Sequence, residues 1–136
     1  MHNLDRFIKA QEYSYQVALQ EVKSGYKRSH WMWYIFPQIA GLGRSAMAQM
    51  YAIASVEEAR EYLEHPVLGE RLREISRALL EHGDKSAQSI FGGIDTLKLR
   101  SSMTLFDAVA PGDVFDDVLR MFFSSCRDEK TLSIIS

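Results

Sequence analysis

Apolar residues recur at three-and-four spacing along most of this 136-residue chain, in segments separated by glycine and proline, and that period commits it to a mainly α-helical fold. In the first segment Leu4, Phe7, Ile8, Gln11, Tyr15, Ala18, Leu19 and Val22 form one stripe of apolar or neutral side chains. Asn3 can cap its first amides, and Ser24-Gly25 can end it through a left-handed glycine. Gly41-Leu42-Gly43-Arg44-Ser45 opens a second helix with Ala46, Met47, Met50, Tyr51 and Ala54 on one side. Ser55-Val56-Glu57-Glu58 matches a capping box, and Val56, Ala59, Tyr62 and Leu63 form the inner face of the helix it starts. His65-Pro66 breaks that helix, and proline suits the first turn of a fourth, striped by Leu68, Leu72, Ile75 and Leu79 and ending near Gly83.

Ser86 to Phe91 suits a single helical turn. After Gly92-Gly93, Asp95 can cap a segment running to about Ala110, with Leu97, Ser101, Leu105 and Ala108 on one face and Leu99, Met103, Phe106 and Ala110 on another. A helix apolar on two faces is the expected central one. Pro111-Gly112 and the cap Asp113 lead into Val114, Val118, Leu119 and Phe122, and 128–135 closes the chain as a short terminal element. With no internal repeat or dividing linker, residues 1–136 are expected to form a single compact domain of about six helices with short irregular or extended segments.

A chain of this length buries roughly two-thirds of its unfolded surface, enough for one core. Its 46% hydrophobic and 11% aromatic content excludes a disordered chain. Sixteen basic against eighteen acidic residues leave a net charge of −2, which offers no general attraction to a nucleic acid polymer or an anionic bilayer. The lone Cys126 forms no internal disulfide, and the N-terminus lacks the pattern of a signal peptide. The longest apolar run, Trp31 to Phe36, falls far short of the ~20 residues that span a membrane. A cytoplasmic chain is expected.

From Lys27 to Gln38 the helical period is lost, and Pro37 pushes Phe36 toward extended geometry, so a short strand or irregular segment is expected. Arg28-Ser29-His30-Trp31-Met32-Trp33-Tyr34-Ile35-Phe36-Pro37-Gln38 places a titratable imidazole beside aromatic faces able to stack on a planar ligand. Equally, Trp31, Trp33, Ile35 and Phe36 can be ordinary core, with His30 meeting only a local hydrogen bond. Gly41-x-Gly43-x-Ser45 with Arg44 can offer backbone amides to a phosphate or carboxylate at a helix start, or can be a plain glycine turn; it fits neither the phosphate loop nor the dinucleotide fingerprint. Lys98-Leu99-Arg100-Ser101-Ser102-Met103-Thr104 inserts hydroxyls and cations into an apolar segment. Either its serines permit close helix packing, or they line a pocket with Lys98 as the cation. His2, His65 and His82 show no ligand spacing, so no metal is expected, and the acidic pairs Glu57-Glu58 and Asp116-Asp117 fit solvent faces near helix starts.

The aromatic run, together with Gly41-Leu42-Gly43, His65-Pro66-Val67-Leu68-Gly69, Ile90-Phe91-Gly92 and Ser101-Ser102-Met103-Thr104-Leu105-Phe106, resembles the domain-of-unknown-function family numbered 1810. The resemblance runs from Leu4-Asp5-Arg6-Phe7 to Asp128-Glu129-Lys130-Thr131-Leu132 and implies a single mainly helical domain, with no established activity, substrate or cofactor. Some members carry the label calpastatin, an inhibitor class of disordered repeats, which this packed, repeat-free composition does not fit. The family usually has a glycine and a basic residue where this chain reads Ser124-Ser125-Cys126-Arg127, so the turn there is expected to differ. A fainter resemblance, to proteins proposed to process ADP-ribose and related nucleotides, falls on Ala10-Gln11 and on Lys98 with Met103.

Together these features point to a small-molecule site for a nucleotide-like or other anionic planar ligand. Arg28, Trp31, Trp33, Gln38, Gly41, Gly43, Ser45, Ser101 and Ser102 are its candidate binding residues. His30 is the candidate proton donor or acceptor and Lys98 the charge stabiliser, a set consistent with hydrolysis or glycosidic cleavage and requiring no cofactor. The competing reading is a noncatalytic protein-interaction module whose aromatic segment is core or a partner-binding patch. Oligomeric state is not legible in the residues.

Overall fold

The computed structural model describes residues 3–136, so His2 lies outside the described residues. Its longest helix, α1 (Asp5–Ser24), follows the first apolar stripe, burying Phe7, Gln11, Tyr15, Ala18, Leu19 and Val22. Asn3 does not cap it: the capping position is Leu4, with no side-chain bond. At the other end Gly25 takes φ +81° and its N–H reaches back to the Val22 carbonyl at 3.0 Å, the left-handed ending the sequence announced.

The aromatic run is helical rather than extended, forming one turn, α2 (Met32–Ile35). α3 (Ala46–Met50) stops earlier than its apolar spacing predicts, because Ile53 is taken into an isolated parallel bridge with Ile39. α4 (Val56–Glu64) starts from Ser55, whose hydroxyl accepts the Glu58 N–H at 3.2 Å. Its capping box is modified. The Glu58 carboxylate reaches back to the Ala54 N–H at 2.7 Å and also binds Arg6 of α1 at 3.0 Å. α5 (Leu68–Leu79) runs into a short 3-10 turn, Leu80–His82.

α6 (Ala87–Phe91) is the single turn expected, with Ser86 as its cap. α7 (Gly93–Val109) begins two residues before Asp95, so Asp95 lies inside its first turn instead of capping it. α8 (Val114–Phe123) is capped by Asp113, and α9 (Glu129–Ile135) by Asp128. Among the described residues there are thus nine α-helices rather than about six, a count that includes the short α2, α6 and α9. The fold is mainly α, as the periodicity requires.

α7 is the centre of the packing: it lies against α4, α6, α8 and α9, while α5 closes against α1, α4 and α8. Residues 101–106 of α7 are buried all round, consistent with its two apolar faces. Gln11 sits in the α1 stripe because it satisfies the core's polar groups. Its Nε2 donates to the Tyr34 carbonyl at 2.8 Å and to the Tyr62 hydroxyl at 3.1 Å, and its Oε1 accepts from Arg71 at 3.3 Å. Ser124 and Ser125 both adopt left-handed backbone, φ +52° and +64°, a conformation more usual for glycine. Among the described residues no helix is long and apolar enough to cross a membrane.

Candidate functional site

The segment between α1 and α2 is organised by Glu21, a buried carboxylate on α1. It accepts the Arg28 N–H at 2.8 Å, the Ser29 N–H at 3.0 Å, the Ser29 hydroxyl at 2.6 Å and the Trp31 indole N–H at 2.9 Å. Burial alone would raise its pKa, but the Ser29 hydroxyl, the two backbone amides and the indole outweigh it and hold the group at about 2. Lys27 N–H adds a bond to the Ile90 carbonyl at 2.8 Å, tying the loop to α6. Ser29 and Trp31 are therefore anchors facing inward, and His30 between them faces solvent.

Trp31 is core, 1% exposed and edge-on to Phe91, whereas Trp33 is half-buried and carries the Lys98 ammonium 5.4 Å from its ring centroid. Lys98 lies one turn along α7 from Asp95, at 3.7 Å, and the same carboxylate binds Lys27 at 2.9 Å. On the far side of Trp33, the Gln38 Nε2 donates to the Ser101 hydroxyl at 2.6 Å.

These residues line three adjoining depressions. The first, about 410 Å³, is bounded by Lys27, His30, Trp33, Gly92, Gly93 and Lys98. A second of about 230 Å³ is lined by Gln38, Leu42, Gly43, Lys98 and Ser101, and a third of about 160 Å³ by Trp33, Gln38, Gly41, Gly43 and Tyr51. Lys98 is common to the first and second, Gln38 and Gly43 to the second and third, and Trp33 to the first and third. The three depressions thus adjoin one another around Trp33, Gln38 and Lys98, as the lobes of a shallow groove.

Of the residues the sequence nominates, His30, Trp33, Gln38, Gly41, Gly43, Lys98 and Ser101 come together here. Arg28, Trp31, Ser45 and Ser102 do not. Arg28 lies over the Tyr26 ring at 5.6 Å, and the Ser45 hydroxyl caps α3 by accepting the Ala48 N–H at 3.1 Å. Of the residues carrying the fainter resemblance, Gln11 and Met103 are core and only Lys98 reaches the groove. Lys27, Gly92, Gly93 and Asp95 join them without having been expected there; Asp95 beside the double glycine and three residues before Lys98 is a signal in the sequence, whereas Lys27 reaches the site only through its tertiary pairing with Asp95. Among the described residues no three His, Cys, Asp or Glu side chains gather as a metal site.

Ser102 is fully buried and its hydroxyl has no partner among the described residues. An unsatisfied buried hydroxyl costs stability, so Ser102→Ala should leave the urea midpoint unchanged or raise stability by about 1 kcal/mol. A loss of that size would show that the hydroxyl serves a partner.

Comparison with known proteins is consistent with the helical reading. The conserved hypothetical protein Rv1873 of Mycobacterium tuberculosis superposes with a TM-score of 0.95 at 41% identity, covering 97% of this chain and 95% of that one. No curated protein matches. The model of the family described as protein of unknown function, DUF1810, matches residues 1–135, and the chain therefore belongs to the DUF1810 family.

Proposed function

We propose that the three-lobed groove binds a small anionic ligand with a planar, nucleotide-like part. The observation that carries this reading is convergence: His30, Trp33, Gln38, Gly41 and Gly43 from residues 30–43 meet Lys98 and Ser101 of α7 around three adjoining depressions. Its first lobe, about 410 Å³, falls within the ~300–1,000 Å³ of small-molecule sites. Lys98 is held only loosely by Asp95, at 3.7 Å, and is free to exchange that carboxylate for a ligand's phosphate or carboxylate. The start of α7 at Gly93 adds the positive end of a 17-residue helix on the same side. Trp33 supplies an aromatic surface, and His30 is the group able to exchange a proton with the ligand, a combination suited to hydrolysis or glycosidic cleavage.

A thermal-shift screen of nucleotides, ADP-ribose derivatives and sugar phosphates tests the proposal. A ligand at ~100 times its Kd adds ~2.7 kcal/mol, a rise in Tm of about 10 °C for a chain of this size. Lys98→Ala and Trp33→Ala should each reduce that rise. No shift across the set, or a shift untouched by both variants, refutes it. The interaction-module reading is favoured by one observation, the exposure of Ile94 (74%) and Leu97 (61%) at the groove's lip. Ile94→Ser with Leu97→Ser separates the two, preserving the ligand shifts if the groove is a small-molecule site.

A further inference from the structure

Gln38 joins two lobes of the groove, and the orientation of its amide is imposed by its neighbours. Ser101 has a single hydroxyl proton, which it donates to the Lys98 carbonyl at 3.0 Å, so toward Gln38 that hydroxyl accepts. Gln38 meets the demand with Nε2 at 2.6 Å, which turns Oε1 away. Among the described residues Oε1 receives no hydrogen bond. The backbone beneath it is fixed as well: the Gln38 carbonyl accepts the Ile53 N–H at 2.8 Å, and the Ala40 N–H donates to the Ile53 carbonyl at 2.8 Å.

The two carboxylates beside the groove are engaged. Asp95 holds Lys27 at 2.9 Å, and Asp128 takes the Thr131 N–H at 3.0 Å and its hydroxyl at 2.6 Å. Around them the groove offers donors: Lys98, Lys27 and the amide of Gly93 at the start of α7. Gln38 Oε1 is thus an uncommitted acceptor in a donor-lined groove, and a ligand that fits must present acceptors to one lobe and a donor to the other.

We propose that Gln38 is a specificity-determining residue whose locked carbonyl oxygen selects ligands bearing an amino or amide N–H on the planar part beside Trp33. Ser101 is its positioning residue. This inference rests on the ligand-site reading above, and the test separates the two. Calorimetry on the full chain compares adenosine 5′-monophosphate with purine riboside 5′-monophosphate, which differs only in lacking the exocyclic amino group. The wild type should favour the amino compound by about tenfold, the range of one net hydrogen bond. In Gln38→Ala the preference should vanish while both compounds still bind. In Ser101→Ala, where the amide is free to turn over, it should fall toward one. A selectivity ratio is insensitive to small losses of stability, and Gln38→Ala decides alone if Ser101→Ala folds poorly. Equal binding by the wild type, or a preference surviving Gln38→Ala, overturns this inference alone; binding of neither compound overturns it together with the nucleotide-like reading.

Discussion

Gly69→Ala should lower stability by about 3 kcal/mol, far beyond the helix propensity it gains, because the start of α5 crosses the end of α4 with no room for a methyl group. A Cβ built on Gly69 would press into the Leu63 carbonyl, lying 2.8 Å from its carbon, and the obstacle is backbone, which cannot swing aside. The corner is fixed on every side. The Gly69 N–H bonds to the His65 carbonyl at 3.0 Å, and the His65 Nδ1 accepts the Val67 and Leu68 amides at 3.1 and 3.3 Å. Arg73 donates to the same Leu63 carbonyl at 3.2 Å while its Nε binds Asp113 at 3.0 Å, linking the corner to the start of α8. The stretch His65-Pro66-Val67-Leu68-Gly69 is therefore a device for turning one helix against the next. Gly83→Ala is the control, since a Cβ there meets only the end of the Met121 side chain at 3.5 Å. Urea midpoints for the two variants check the contrast, and a Gly69→Ala midpoint near that of the wild type would contradict this packing.

The same corner shows what the sequence makes legible. The long helices were readable because a stripe repeated over several turns leaves no other period, and because Ser55, Asp113 and Gly25 mark their ends chemically. α2 was not: one helical turn is too short to display a period, and Pro37 suggested extended chain. α3 is shorter than its stripe because Tyr51 and Ala54 keep the helical spacing while Ile53 between them is taken by the bridge to Ile39, and only the tertiary partner decides. Within the candidate site the residue types were legible but their facing was not. Trp31 and Trp33 are two apart, so one turn of helix sends them to different sides, one into the core and one to the groove. Ser101 and Ser102 diverge for the same reason.

Glu21 is where this limit has the largest consequence, and Glu21→Gln should cost about 2–3 kcal/mol at neutral pH. Every group around that carboxylate is a donor: two backbone amides, a hydroxyl and an indole N–H. A glutamine keeps the shape but loses the charge and turns an NH₂ toward donors, leaving at least one of them unpaired inside the protein. The effect carries a pH signature with a definite sign. Because the folded pKa, about 2, lies below the ordinary value of 4.5, ionised Glu21 stabilises the fold fully above pH 4.5, and this contribution is lost as pH falls toward 2. The stability gap between wild type and Glu21→Gln should therefore be constant from pH 7 to about 5 and narrow steadily below that. Chemical denaturation across this range measures it, and a gap independent of pH down to 3 would mean that the carboxylate is not what holds the loop. The groove should respond too, since Ser29 and Trp31 flank His30 and lose their common anchor together. Amide exchange at 28–31 should accelerate in Glu21→Gln before α1 or α7 opens, placing the loss of order where His30 meets the first lobe.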